Sequence, residues 1–150
     1  MPLLASTGLR NKILETGSLK SILANGFIHV YYSTLANIPL SADDPIETAK
    51  HQKLLTVYGD GISSGLNLGT AANGAINKSP GETWAGPVLN TGNAVFFRFV
   101  GSADTGFAST TEARLQGRVG VSGAELNISS LALVAGNTQA VNFASISLPG

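Results

Sequence analysis

Residues 91–104, TGNAVFFRFVGSAD, constrain the fold more than any other stretch of the chain. Three of the six phenylalanines and an arginine fall in four consecutive positions, between a Thr91-Gly92-Asn93 turn and Gly101. Aromatic and β-branched residues fit a pleated, packed surface, so the run predicts a central strand over residues 94–100. Alternation puts Val95, Phe97 and Phe99 on one face and Ala94, Phe96, Arg98 and Val100 on the other. Both faces are largely apolar, which an all-β domain tolerates only where each face is covered. One face is therefore expected in a sandwich core, the other beneath the N-terminal segment or a neighbouring subunit.

A chain of 150 residues is long enough for one real hydrophobic core and short for two. The absence of cysteine excludes disulfides, thiol catalysis and cysteine-ligated metals. Charged residues make up 12% of the chain, nine basic against nine acidic, where ordinary soluble domains carry about a quarter. A surface of Ser, Thr, Asn, Gly and Ala with so few charges suits permanent contact with other copies or a larger lattice. Without clustered Lys and Arg to neutralise phosphates, nucleic acid is not an expected partner. The uncharged run over residues 126–150 is interrupted throughout by Asn, Ser, Thr and Gln, so no membrane span is expected there. Arg10, Lys12, Glu15 and Lys20 break any apolar core of a signal peptide, and synthesis and folding in the cytoplasm are expected.

Residues 1–26 read as an N-terminal helical arm and residues 27–150 as the β domain. Ser6 or Thr7 can cap a short helix with Leu9, Ile13 and Leu14 on one face, ended at Thr16-Gly17. Ser18 caps a second, with Leu19, Ile22 and Leu23 at helical spacing and Gly26 as the expected left-handed stop. Helices this short are marginal alone, so the pair must dock, which makes these six apolar residues candidate contacts with a neighbour.

Strands are predicted over residues 27–33, with Phe27, His29 and Tyr31 opposite Ile28, Val30 and Tyr32, and over residues 53–58. Between them lies a long excursion holding Pro39 and Asp43-Asp44-Pro45, with room for a helical turn at residues 44–50. Short segments at 66–68 and 74–77 follow, then a strand through Trp84 that Pro87 confines to an edge or a bulge. The Thr91-Gly92-Asn93 turn is read as a hairpin into the central strand. Residues 112–119 alternate, with Ala113, Leu115 and Val119 inward and Glu112, Arg114, Gln116 and Arg118 toward solvent or a partner. Arg114 and Arg118 therefore join the interface candidates, paired with carboxylates across a contact, and Arg98 is a further interface candidate. Strands at 125–128, 131–134 and 139–148 complete about eight short strands, the spacing of an antiparallel β-sandwich of jelly-roll type.

Chemistry is hard to find. No nucleophile and base are placed together in sequence, and His29 and His51 lie in unlike settings, so no catalytic residue is assigned and no enzyme is expected. His29, alone in a strand, reads as packed or hydrogen-bonded; no metal and no cofactor is expected. The glycines at 59, 61 and 69 suggest a phosphate cradle, but Ser64 stands where G-x-G-x-x-G needs glycine and no helix follows, so a turn is expected. Asp43 and Asp44 read as turn formers, and Trp84 as a core anchor whose indole N–H finds a carbonyl.

Three stretches, AANGAINKSPGETWAG, TGNAVFFRFVGSADTGFASTTEARLQGRVGVSGAELNISS and AGNTQAVNFASISLPG, together with the N-terminal STGLRNKILETGSLKSILANGFIHVYYS, resemble small virion structural proteins of tailed bacteriophages. The resemblance spans residues 6–150, apart from residues 35–50, and brings no catalytic residues. It implies a location in the virion, with copies of the same chain (a trimer above all) and the major capsid protein or other virion proteins as partners. A capsid decoration or cement protein is the first expectation, a tail, neck or tube component the second. A carbohydrate-binding module using Trp84, Tyr31 or Tyr32 is the alternative from another class.

Overall fold

The strands and helices follow the alternation and capping of the sequence closely. The computed structural model describes residues 3–147 and is mainly β. In chain order the elements are β1 (Leu4–Ala5), α1 (Thr7–Glu15), α2 (Leu19–Ile22), β2 (Phe27–Tyr32), β3 (Gln52–Val57), β4 (Ala75–Asn77), β5 (Ala85–Pro87), β6 (Gly92–Asn93), β7 (Phe96–Val100), β8 (Arg114–Gly120), β9 (Leu126–Ile128), β10 (Ala132–Leu133) and β11 (Thr138–Ser147). Leu148, expected in the last strand, lies outside the described residues.

The main sheet has nine strands and runs β3-β2-β7-β8-β9-β11-β4, with β1 added to β8 and β5 to β11. It is mixed, because β8 and β9 are parallel while their neighbours pair antiparallel. The ends of this path approach one another. β5, paired to β11, also bridges β3 at Leu55–Val88 and Tyr58–Ala85, so the sheet nearly closes into a barrel. Between those bridges the backbones touch: a Cβ on Gly86 would lie 1.8 Å from the Thr56 carbonyl oxygen. The seam admits only glycine there, and Pro87, with no N–H to give, occupies the same incomplete ladder. A single curled mixed sheet thus stands where two stacked antiparallel sheets were expected. The Thr91-Gly92-Asn93 turn is not a hairpin into β7 either, since β6 pairs with β10 in a separate two-stranded sheet. Leu66 and Leu68 make isolated bridges, to Gly26 and Lys78, in place of a strand.

The central strand is where the aromatic run put it, and every residue of β7 is buried. Phe97 and Phe99 face the main core with Ile28, Val30, Leu54, Leu55, Val57, Trp84, Leu115 and Leu126. Trp84 is 2% exposed, meets Phe99 edge-on, and donates from Nε1 to Glu82 Oε1 at 2.9 Å.

What covers the outer face of β7 corrects the sequence reading. Where the N-terminal segment or a neighbouring subunit was expected, the excursion over residues 34–51 packs on this face. Ile38 packs with Tyr31 and Phe96 in a second small core, and His51 meets Phe96 edge-on at 5.5 Å.

The N-terminal segment belongs to the barrel. Ser6 caps α1 by accepting from Leu9 N, and the same hydroxyl donates to Glu112 O and accepts from Arg114 N. Asp43 accepts from Thr7 N and Oγ1, tying the excursion to the start of α1. Leu9 and Leu23 are 0% and 1% exposed inside the main core, and Leu19 and Ile22 pack against it. Residues 1–26 and 27–150, read from sequence as arm and β domain, share one core among the described residues. Of the six apolar residues proposed for contact, only Ile13 and Leu14 stand exposed. The left-handed residue after α2 is Asn25, φ 59°, rather than Gly26, which packs against Val100 instead.

Candidate functional site

Three neighbouring strands bring one polar row to the outer face of the sheet. Antiparallel register sets His29 of β2 opposite Arg98 of β7, and Arg98 opposite Gln116 of β8. Two residues along, Phe27, Val100 and Arg114 form the next row outward on the same face. The excursion and the loop over residues 101–113 roof this face and are joined to each other, Ile46 N donating to Gly106 O and Ser109 N to Asp43 O.

Beneath the roof lies a cavity of about 350 Å³, lined among others by His29, Tyr31, His51, Lys53, Arg98, Asp104 and Arg114. Arg98 and Arg114 are 1% and 0% exposed. This corrects their assignment to an interface, as both side chains are enclosed within the subunit. Only Arg118 of the three is half-buried, its Nε donating to Val95 O and its backbone N–H to Glu125 Oε2. The inward and outward division of residues 112–119 is corrected in the same way, because Gln116 is also fully buried, its Nε2 donating to Pro39 O at 2.7 Å.

The two arginines are treated differently. Every nitrogen of the Arg114 guanidinium has a partner: Nε and Nη2 grip the Asp104 carboxylate, Nη2 also donates to Phe107 O, and Nη1 to Ala42 O. Arg98 donates from Nε to Gln116 Oε1 at 2.8 Å and from Nη2 to Ser41 O at 3.3 Å, both neutral acceptors. Its Nη1 is buried with no hydrogen-bond partner among the described residues. Burial and the nearby Arg114 charge lower the Arg98 pKa to about 10, which leaves it cationic at neutral pH.

Burial holds His29 and Tyr31 in their neutral forms. Burial, then the Lys53 charge, lowers His29 to about 4, and its Nδ1 is 2.9 Å from Thr56 Oγ1. Burial pushes the Tyr31 phenol up to about 12. His51 accepts from Glu47 N at Nδ1 and so donates from Nε2 to Asn37 O. The arrangement offers positive charge and hydrogen-bond donors, and it holds no activated nucleophile. Sequence reasoning singled out His29 and the arginines separately; Asp104, Gln116 and His51 join them only through pairing and loop closure. The available signal was Arg98 itself, an arginine flanked by Phe97 and Phe99.

Elsewhere the glycine-rich turn after β3 is filled by its own carboxylate. Asp60 Oδ1 accepts from the N–H groups of Ile62, Ser63 and Ser64, at 2.8, 2.8 and 3.0 Å. Those bonds, Ser64 first, hold its pKa well below the usual carboxylate range. Trp84 and Tyr31, 2% and 5% exposed, present no platform to a sugar, which leaves Tyr32 alone among the aromatic residues considered for one. No group of three or more His, Asp or Glu side chains close enough to hold a metal occurs among the described residues, and no helix among them is long and apolar enough to cross a membrane. No family model, no curated protein and no solved structure matches the chain.

Proposed function

We propose that the chain is a structural subunit of a tailed-phage virion, working by contact as a capsid decoration or cement protein. The observation that carries this reading is a charge-poor, neutral chain that leaves large apolar side chains in water. Leu40 is 91% exposed, Leu14 84%, Ile62 77%, Leu35 72% and Phe107 71%, on a chain with 12% charged residues and no net charge. Single exposed hydrophobics are ordinary; this many, with so few ions between them, favour burial against other chains. Leu35, Leu40 and Phe107 belong to the two roof loops, Leu14 to α1 and Ile62 to the turn after β3, and these elements are the candidates for the contact surface. The sequence resemblance over residues 6–150 supplies the class of particle.

The test is particle stoichiometry together with the state of the free protein. Quantitative mass spectrometry of purified virions should find the chain in proportion to the major capsid protein, and light scattering should find the isolated chain self-associated, as a trimer above all. A small fixed number of copies at one vertex would move it to the neck or tail. A stable monomer that binds neither shells nor tails would overturn the reading.

A further inference from the structure

A guanidinium carries a permanent charge and five N–H donors, and withdrawing it from water is costly unless an anion balances it. Arg114 has that balance in Asp104. Arg98, beside it on the next strand, does not: its two bonds go to an amide oxygen and a carbonyl, and Nη1 has no partner among the described residues. The neighbouring carboxylates are already engaged. Asp104 receives Arg114 and Gly106 N, and Asp44 Oδ2 accepts from Ser41 N. The cavity that Arg98 lines is bordered by three cations, Lys53, Arg98 and Arg114, against the single carboxylate of Asp104. Its other walls include Tyr31, Ile46, Val100 and Phe107, which offer apolar surface. Volume, uncompensated charge and apolar lining together describe a ligand with an anionic end and a carbon body.

We propose that this cavity binds a small organic anion, its carboxylate or phosphate group held by Arg98 and Lys53 and its body against Tyr31, Ile46 and Phe107. The oxyanion supplies the counter-charge that the chain lacks, and Lys53, exposed at the rim end of β3, supplies a second cation. This inference is independent of the proposed virion role.

Calorimetric titration of the full chain at constant ionic strength tests it, with benzoate, the uncharged benzamide and inorganic phosphate as probes. Benzoate should saturate at low-millimolar concentration and raise the thermal midpoint, benzamide should do neither, and Lys53→Ala should weaken benzoate by about tenfold. Arg98→Met should abolish binding; should that variant not fold, the Lys53→Ala result and a shift of the His29 ring protons on adding benzoate to the unaltered chain decide. Phosphate binding in place of benzoate supports the oxyanion site and names free phosphate as its source. Equal responses to benzoate and benzamide, no response to either anion, or a Lys53→Ala variant that binds unchanged would each overturn the proposal.

Discussion

Arg114 and Asp104 meet in a two-pronged ion pair, Nε 2.6 Å from Oδ2 and Nη2 2.9 Å from Oδ1, with both side chains sealed from solvent. The pair fastens the loop over residues 101–113 to β8, and through Ala42 and Phe107 it pulls both roof loops onto the sheet.

Removing one member leaves the other buried without a counter-charge. Asp104→Ala should lower stability by about 3–5 kcal/mol, read as the shift in urea midpoint. The same pair sets the acid limb. Burial by itself would raise the Asp104 pKa, but the hydrogen bonds from Arg114 and Gly106 N and the charges of Arg114 and Arg98 prevail, and the net shift is downward. Its stabilisation is therefore complete above the unfolded value near 3.8 and is lost as pH falls through the lower folded value. A stability profile of Asp104→Asn as steep below pH 4 as that of the unaltered chain would count against this assignment.

His29 acts in a higher window. Its folded pKa, lowered to about 4 by burial and then by Lys53, lies below its ordinary 6.5, so the unfolded chain takes up the proton first. Stability should be full above about pH 6.5 and fall as pH drops toward 4, then level off with respect to this group. Following the imidazole resonances by NMR should place its midpoint near 4; a midpoint near 6.5 would mean the ring is hydrated.

Gly86→Ala should open the barrel seam. The added methyl would sit 1.8 Å from Thr56 O, a backbone atom, so β5 must move away from β3. About 3 kcal/mol or more of destabilisation is expected, with faster hydrogen exchange at Tyr58 and Ala85, whose N–H groups each donate across the seam. Unchanged exchange at both amides would show that the seam tolerates a side chain.

Leu14→Ser and Leu40→Ser change side chains that are 84% and 91% exposed, so neither should alter stability by more than about 0.5 kcal/mol. Both should weaken self-association or attachment to particles, measured by sedimentation and by co-pelleting with shells. Attachment identical to that of the unaltered chain would remove these residues from the contact surface.

Periodicity and capping are local properties, and the chain expresses them locally. The alternation of FIHVYY and FFRFV, the Ser6 and Ser18 caps and the Trp84 anchor could all be read along the sequence, because each depends on residues a few positions apart. Partner choice is a different kind of fact. That β8 runs parallel to β9, that β5 closes toward β3, and that residues 34–51 rather than a second chain cover Phe96 and Arg98 depend on which segments meet across dozens of residues. Binary patterning leaves such pairings open, since a strand apolar on both faces states that it is covered but not by what. The site shows the same division. Sequence supplied His29 and Arg98 as lone polar residues in apolar strands and Arg114 as one of an outward polar row; only the register that sets His29, Arg98 and Gln116 side by side, and the loop that carries Asp104 to Arg114, made one arginine paired and the other not.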